Sequence, residues 1–251
     1  MPELTPLFFA MAIPAVVFAG ISKGGFGSGA SFAAAPFLAL ILEPAVALGL
    51  MLPLLMLIDV AALRVYWRRW SRRDATRLII GALPGTVLGT ILIARADGDV
   101  LRVLIGVVAL GFVAYQISAR SGLFRPRARP WGPSVGIGTG VFAGFTSFVS
   151  HAGGPPVAVY LLSQGLSKTT YQATTVIVFT VVNVMKVLPY SFLGIFSAQT
   201  LWADLLLAPF ALVGTWLGVR AHHMVSERVF FAITYVLLTL TGTKLIYDAL
   251  V

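Results

Sequence analysis

The sequence contains two copies of a pair of short motifs, and long apolar runs surround each copy. Val17-Phe18-Ala19-Gly20 returns 124 residues later as Val141-Phe142-Ala143-Gly144. Ala82-Leu83-Pro84-Gly85-Thr86-Val87-Leu88-Gly89 returns 129 residues later as Ala211-Leu212-Val213-Gly214-Thr215-Trp216-Leu217-Gly218. Since the offset grows from 124 to 129, the second half has gained five residues, between Tyr190 and Trp202. Duplicated membrane halves often build a site where they meet, so the repeat predicts two related halves around a site near the bilayer midplane.

The composition is that of an integral membrane protein. Hydrophobic residues make up 58% of the 251 residues, charged residues make up 11%, and the mean hydropathy is +0.93. A soluble core of this length does not have room for so much apolar surface. We expect the first apolar run to be retained rather than cleaved, because no Lys or Arg precedes it. The absence of cysteine excludes disulfides, thiol catalysis and cysteine metal sites.

The net charge of +9 is carried by short loops between apolar runs. This is the positive-inside pattern, so we expect the bilayer as partner and no nucleic acid. The loop after the third segment and the linker between the halves are predicted to be cytoplasmic. Their basic residues are Arg64, Arg68, Arg69, Arg72, Arg73, Arg120, Arg125, Arg127 and Arg129.

The loop charges of the second half are exchanged relative to the first. Residues 191–199, which correspond to the Arg68 loop, carry no charge, whereas Arg220, His222, His223 and Arg228 surround the counterpart of the acidic loop at 94–99. The exchange predicts that the two halves have opposite orientations, with both termini outside. The two histidines are predicted to be solvated or to face lipid headgroups.

Six apolar runs are long enough to cross the hydrocarbon, which takes about 20 helical residues. They cover residues 44–66, 75–94, 100–119, 170–190, 201–219 and 229–249. Four shorter runs form two matching pairs, 6–20 with 32–42 and 133–149 with 155–163. The predicted fold is an all-α, polytopic transmembrane helical bundle of two inverted-topology repeats. Each repeat has a broken or re-entrant pair of short helices followed by three full spans.

The predicted organisation has three parts. Residues 1–119 form the first transmembrane repeat, 120–132 an Arg- and Pro-rich cytoplasmic linker, and 133–251 the second repeat. A homodimer is left open. Each short pair flanks a glycine-rich break, at 20–29 in the first half and at 146–156 in the second. Irregular backbone at membrane depth survives only where protein or a watery cavity satisfies its polar groups, so we expect both breaks to line a site.

Four ionisable residues stand out in the apolar runs and their breaks: Lys23, Asp59, His151 and Lys186. Each needs a partner, a cavity or a function, because a charge at the centre of a spanning helix costs about 2.5–3.5 kcal/mol on insertion scales. Three of these four side chains can carry a positive charge and one a negative charge, which predicts an anion site. Half-helices restarting at Gly29 and Gly154 are expected to aim free N–H groups at it.

The candidate substrate-binding residues come from both breaks and from one helix of the second half. They are Ser22, Lys23, Gly24, Gly27, Ser28, Gly29, Ser150, His151, Gly153, Gly154, Asn183 and Lys186. Asp59, whose repeat counterpart is Asn183, is a candidate for coupling or for an ion pair. Other serines of the breaks, Ser31 and Ser147, also have hydroxyls that can donate to an oxyanion.

A structural interpretation stands beside each functional one. The glycines are also suited to close helix packing, and Lys23 to reaching an interface if its break lies near the membrane surface. His151 is suited to a structural hydrogen bond. Asp59 and Lys186 lie on corresponding helices and are suited to a structural ion pair; otherwise Lys186 faces the anion and Asp59 takes a proton as the site opens.

The two breaks resemble those of the sulfite exporter TauE/SafE family of membrane permeases. The resemblance is carried by Gly20 to Gly29 leading into Pro36-Phe37-Leu38, by Gly153-Gly154-Pro155-Pro156, and by the duplicated arrangement with an Arg-rich middle linker. It covers nearly the whole chain. It implies export, or more generally passage, of small sulfur-containing anions such as sulfite, thiosulfate or organosulfonates.

We therefore expect a multi-pass transporter of the cell membrane, the inner membrane if the source is bacterial, that exports such anions by alternating access. An anion channel is the related alternative. A second class is an intramembrane serine hydrolase with a Ser28–His151 dyad, and a third is a structural subunit of a larger complex. No His-Glu-x-x-His motif occurs, and we expect neither a metal site nor a cofactor.

Overall fold

A computed structural model describes residues 4–26, 31–121, 130–221 and 227–251 of the chain. All regular structure in these ranges is helical, which confirms the all-α bundle. The helices are α1 (Pro6–Ile21), α2 (Ala34–Leu38), α3 (Pro44–Val65), α4 (Arg72–Ile93), α5 (Gly98–Arg120), α6 (Pro133–Ser150), α7 (Gly154–Ser163), α8 (Lys168–Phe192), α9 (Ala198–Ala221) and α10 (Glu227–Leu250). A π-helical turn (Ser22–Phe26) follows α1, and a 3₁₀ turn (Ser31–Ala33) precedes α2.

Six helical segments of the described chain are long and apolar enough to cross a membrane. They include Pro6–Gly25, which the sequence predicted to be short, because the π-helical turn carries the helix past Gly20. In contrast, α2 has five residues and α7 has ten. At 1.5 Å per residue α7 is about 15 Å long, roughly half the hydrocarbon thickness. The chain is therefore a multi-pass membrane protein that contains half-length helices.

Local sequence signals account for the positions where the helices begin. Proline occupies the first turn of α3 and of α6, as Pro44 and Pro133, where its missing N–H breaks no helical hydrogen bond. Side-chain caps begin three others. Ser71 caps α4, Asp97 accepts from the Val100 N–H at 2.8 Å at the start of α5, and Ser167 caps α8.

The duplicated motifs contact each other across the two halves. The first-half copy of the first motif, residues 17–20 in α1, packs against the second-half copy of the second motif, residues 211–218 in α9. A Cβ atom added at Gly20 would lie 2.7 Å from the Ala211 carbonyl oxygen, and one added at Gly214 would lie 2.5 Å from that of Val17. Glycine is needed at this crossing because the two helix backbones approach too closely for any side chain.

The second crossing, between α4 and α6, is built in the same way. A Cβ atom at Gly144 would collide with the Ala82 carbonyl oxygen, and one at Gly85 with that of Val141. The hydroxyl of Thr86 donates to the Ala82 carbonyl at 2.8 Å, so it leaves no polar group unsatisfied in the contact. Each half therefore supplies one helix to each crossing.

Two further contacts define chain directions. A Cβ atom at Gly106 of α5 would lie 2.7 Å from Ile246 of α10, and one at Gly242 would lie 3.1 Å from Leu110. Since the lower number of one helix meets the higher number of the other, α5 and α10 run antiparallel. α7 likewise folds back along α6. Gly153, just before α7, lies against Ala143 and Ser147 in the second half of α6. Tyr160, near the end of α7, lies against Gly136 near the start of α6.

The core lies where α1, α3, α8 and α9 meet, and the outer faces of the bundle are apolar. The largest buried cluster joins residues such as Phe8, Leu50 and Leu207. Large apolar side chains are exposed on the outer helices, for example Leu83 of α4 and Leu240 of α10. An exposed apolar band of this kind is suited to contact with lipid chains rather than water.

Candidate functional site

Lys23 enters the core because the helix changes its winding just before it. α1 ends at Ile21 and the chain continues through the π-helical turn Ser22–Phe26, a type of bulge that is frequent at functional sites. Lys23 is only 6% exposed. The alternative that its side chain reaches an interface is therefore wrong. Gly24 lets the turn lie against α9, since a Cβ atom there would be 2.5 Å from the Thr215 carbonyl oxygen.

Lys23, Asp59 and Asn183 form a buried chain of contacts between three helical segments. The Lys23 ammonium donates to Asp59 Oδ1 at 2.6 Å, and the Asn183 amide donates to Asp59 Oδ2 at 2.7 Å. Both carboxylate oxygens are thus satisfied. The Gln172 side chain donates to the Lys23 carbonyl oxygen at 2.8 Å, and the Phe179 ring lies 6.0 Å from the Lys23 ammonium.

The ion pair that the sequence suggested between Asp59 and Lys186 does not form. Asp59 pairs with Lys23 instead, since the π-helical turn brings that side chain within reach of α3. Lys186 is fully buried, and its ammonium contacts His151 Nδ1 at 2.8 Å, the Ser147 carbonyl oxygen at 3.1 Å and the Ser147 hydroxyl at 3.2 Å. In the described chain no carboxylate forms an ion pair with Lys186.

His151 links Lys186 to α3 and lines the same cavity as Lys23. It ends α6 in a left-handed conformation, with φ of 56°, which turns the chain into α7. Its Nε2 lies 3.1 Å from the Leu48 carbonyl oxygen, so we assign the proton to this nitrogen. Nδ1 then accepts from Lys186. Both ring nitrogens are occupied, which argues against His151 acting as the base of a dyad with Ser28.

A cavity of about 10 Å³ lies inside this cluster. It is lined by Lys23, Ser31, Leu55, Ser147, His151, Gly154, Phe179 and Asn183. Its volume corresponds to roughly one water molecule, so the site is closed and does not hold an oxyanion in this conformation. Among the described cavities this one combines lysine with serine and amide groups, the donors that recognise an anion.

Two larger cavities have the wrong chemistry for a small anion. One of about 830 Å³ lies between α5, α6 and α7, and its lining, which includes Leu104, Phe142 and Pro155, carries no charged side chain. The other, of about 270 Å³, is lined in part by Glu43 and Asp97 and is acidic. The small cavity lined by Lys23, Ser147, His151 and Asn183 is therefore the candidate site for an anion.

The other predicted site residues differ in their surroundings: one is buried beside Lys23, others have structural contacts, and some lie outside the described ranges. Ser22 is fully buried next to Lys23. The Ser150 hydroxyl donates to the Thr146 carbonyl at 3.0 Å, within its own helix. A Cβ atom at Gly153 would lie 2.7 Å from the Ala143 carbonyl oxygen, so this glycine has a packing role, as Gly24 does. Gly27, Ser28, Gly29, His222 and His223 lie outside the described residues.

The predicted helix start at Gly154 is confirmed, whereas Gly29 lies outside the described residues. α7 does begin at Gly154, but Pro155 and Pro156 have no N–H, so its first turn offers fewer donors than predicted. In the first half the described chain resumes at Ser31, and α2, with five residues, is too short to supply a helix-end site.

Sequence reasoning missed two polar residues of the core. Gln172, which contacts Lys23, lies on the same face of α8 as Phe179, Asn183 and Lys186, and this helical spacing was a usable signal. Asp204 is a buried acidic residue of α9 that a search of the apolar runs for charges would have found.

No curated protein and no solved structure matches the chain. The family model described as sulfite exporter TauE/SafE matches residues 12–245. The match includes both motif copies, both breaks and every residue of the buried cluster. The chain therefore belongs to the sulfite exporter TauE/SafE family, whose members are membrane permeases for sulfur-containing anions.

Proposed function

We propose that the protein carries small sulfur-containing anions, such as sulfite or an organosulfonate, by alternating access around the Lys23–Lys186 cluster. One observation carries the proposal. Lys186 is fully buried and has no carboxylate partner among the described residues. An ammonium without a counter-charge is costly to bury, and a bound anion relieves that cost.

Each member of the cluster has a distinct part in this proposal. Lys186 and the Ser147 hydroxyl supply the donors to the oxyanion. Lys23 supplies a second positive charge once Asp59 releases it. Asn183 holds the far oxygen of Asp59, and so it keeps the carboxylate oriented while the anion is absent.

The closed cavity supports a carrier over a channel. A channel needs a continuous opening, whereas the cluster encloses about 10 Å³. The anion therefore enters only after the helices around the cavity separate. The two matching crossings and the antiparallel α5–α10 contact support an inverted-repeat arrangement, in which one half rocks against the other around a fixed site.

Export is the proposed direction of net flux. An inside-negative membrane potential favours the exit of an anion by about 2.3 kcal/mol per charge per 100 mV. Efflux of a monovalent or divalent sulfur anion therefore does not require a second ion to drive it.

Flux measurements in proteoliposomes test the proposal. We expect Lys186→Met to reduce the flux of sulfite, thiosulfate or sulfoacetate at least tenfold, since a hydrogen bond to a charged group is worth about 1.5–3 kcal/mol. Lys244→Met is the matched control, because Lys244 is exposed on α10 and pairs with Asp248. A folded Lys186→Met protein with undiminished flux contradicts the site, and flux that does not saturate with concentration identifies a channel.

A further inference from the structure

Asp204 is a buried carboxyl group to which the described part of the chain gives no hydrogen-bond partner. It lies in the second turn of α9, is 7% exposed, and neither carboxylate oxygen accepts a hydrogen bond in the described structure. The helix neighbours on its face, Ala203 and Leu207, belong to the apolar cluster that includes Phe8 of α1. The side chain is therefore held among apolar groups in the interior of the bundle.

Asp74 provides an internal comparison. It is buried near the start of α4, yet its carboxylate accepts from the Ser71 hydroxyl at 2.6 Å and from the Tyr160 hydroxyl at 3.1 Å. Arg77 lies 3.7 Å away. The described residues thus supply donors and a counter-charge to Asp74 and none to Asp204, so burial of a carboxylate in this fold does not by itself entail a lack of partners.

Among the described residues, no counter-charge faces Asp204 from the main elements that pack against α9. α1 has no titratable side chain. α3 carries Asp59 and Arg64, and the π-helical turn carries Lys23, which is already paired with Asp59. On α9 itself the other charged residue, Arg220, is at the opposite end of the helix.

A proton is the ligand that such a site takes. An ionised carboxylate that is buried without a partner costs several kcal/mol, whereas its protonated form is neutral. A metal cation needs several oxygen ligands, and the described residues contain no group of acidic or histidine side chains that could hold one. Protonation removes the charge without requiring any further ligand.

We propose that Asp204 is a proton-binding site, occupied in the closed conformation, whose proton is exchanged during transport. Asp204 lies 11 residues before Thr215 in α9, or about 16 Å along the helix. Thr215 contacts Gly24, the residue after Lys23. Asp204 lies towards the end of α9 that the loop charges predict to be non-cytoplasmic. The inference that Asp204 binds a proton depends only on the surroundings of Asp204, whereas the link between this proton and anion flux rests on the proposed function.

Infrared difference spectroscopy tests the proton site without any transport substrate. At pH 7 the spectrum of the wild type minus that of Asp204→Asn is expected to contain the C=O stretch of a protonated carboxylic acid. The matched control, Asp248→Asn, removes an exposed carboxylate that pairs with Lys244, so its difference spectrum should contain ionised carboxylate bands. Ionised bands alone for Asp204→Asn overturn the proposal.

Proton movement with flux tests the link to transport. Proteoliposomes with an entrapped pH dye are loaded with thiosulfate, which has no titrating group near neutral pH. We expect the wild type and Asp248→Asn to move protons with thiosulfate, and Asp204→Asn to move thiosulfate without protons. Unchanged proton movement in Asp204→Asn refutes the link. If the wild type moves none of the sulfur anions, the proposed function fails, and the infrared band still decides the proton site.

Discussion

Lys23 and Lys186 share one buried cluster, but within the described ranges only Lys23 has an anionic partner. Asp59 occupies the position beside Lys23 that a second negative group, such as a substrate oxygen, would take. In the proposed mechanism the carboxylate and the transported anion therefore compete for the same ammonium. Asp59 compensates the charge of Lys23 in the closed conformation, and this makes Asp59 the residue whose removal should be most informative.

We expect Asp59→Asn to lower the free energy of unfolding by about 3–5 kcal/mol, because breaking a buried ion pair leaves the Lys23 charge uncompensated. Added thiosulfate should restore more stability to this variant than to the wild type, since the anion then meets two ammonium groups that have no carboxylate partner among the described residues. Thermal unfolding in detergent, with and without thiosulfate, measures both effects.

The matched control for Asp59 is Asp99→Asn. Asp99 is 60% exposed and pairs with Arg102 on the surface of α5. Surface pairs of this kind contribute about 0–1 kcal/mol, so the unfolding temperature should hardly change. Equal stability of the two variants would refute the buried ion pair, and equal stabilisation by thiosulfate would refute the competition.

At the scale of helices, the duplicated motifs are interhelical contact surfaces. A Cβ atom at Gly144 of α6 would lie 2.8 Å from Ala82 Cα, whereas one at Gly138, on the same helix, meets nothing within 4 Å. We expect Gly144→Ala to cost about 1–3 kcal/mol through overpacking. Gly138→Ala should be neutral or stabilise by up to about 1 kcal/mol, since alanine favours a helix. Chemical unfolding of both variants checks this, and similar values would contradict the crossing.

The sequence was sufficient to predict where the long helices lie, except for the first, whose length was underestimated, but not how the helices contact each other. Apolar length and prolines such as Pro44 mark spans directly, and Gly154 was correctly predicted as the start of α7. The partner of Asp59 was not predictable, because it depends on the π-helical turn that rotates Lys23 into the core. The left-handed conformation of His151, with φ of 56°, was likewise not predicted, because the residue that ends α6 is not the glycine that usually marks such a position.

At the scale of the whole molecule, one helix contact supports opposite orientations of the two halves. α5 and α10, the last helices of the two halves, run antiparallel where they touch, as opposite orientation requires. If the halves had the same orientation, these helices would be parallel. The loop charges are a separate argument for the same arrangement, since the Arg68 loop is basic and its counterpart at 191–199 is uncharged.

Single cysteines test this orientation directly, because the natural chain contains no cysteine. Arg73→Cys and Gln199→Cys introduce exposed thiols near corresponding loops of the two halves. In intact cells, a membrane-impermeant maleimide should label Gln199→Cys, whereas Arg73→Cys should react only after permeabilisation. Labelling of both from the same side would mean that the halves point the same way. The two breaks would then not be related by a two-fold axis in the membrane plane, and rocking around a shared central site would lose its structural basis.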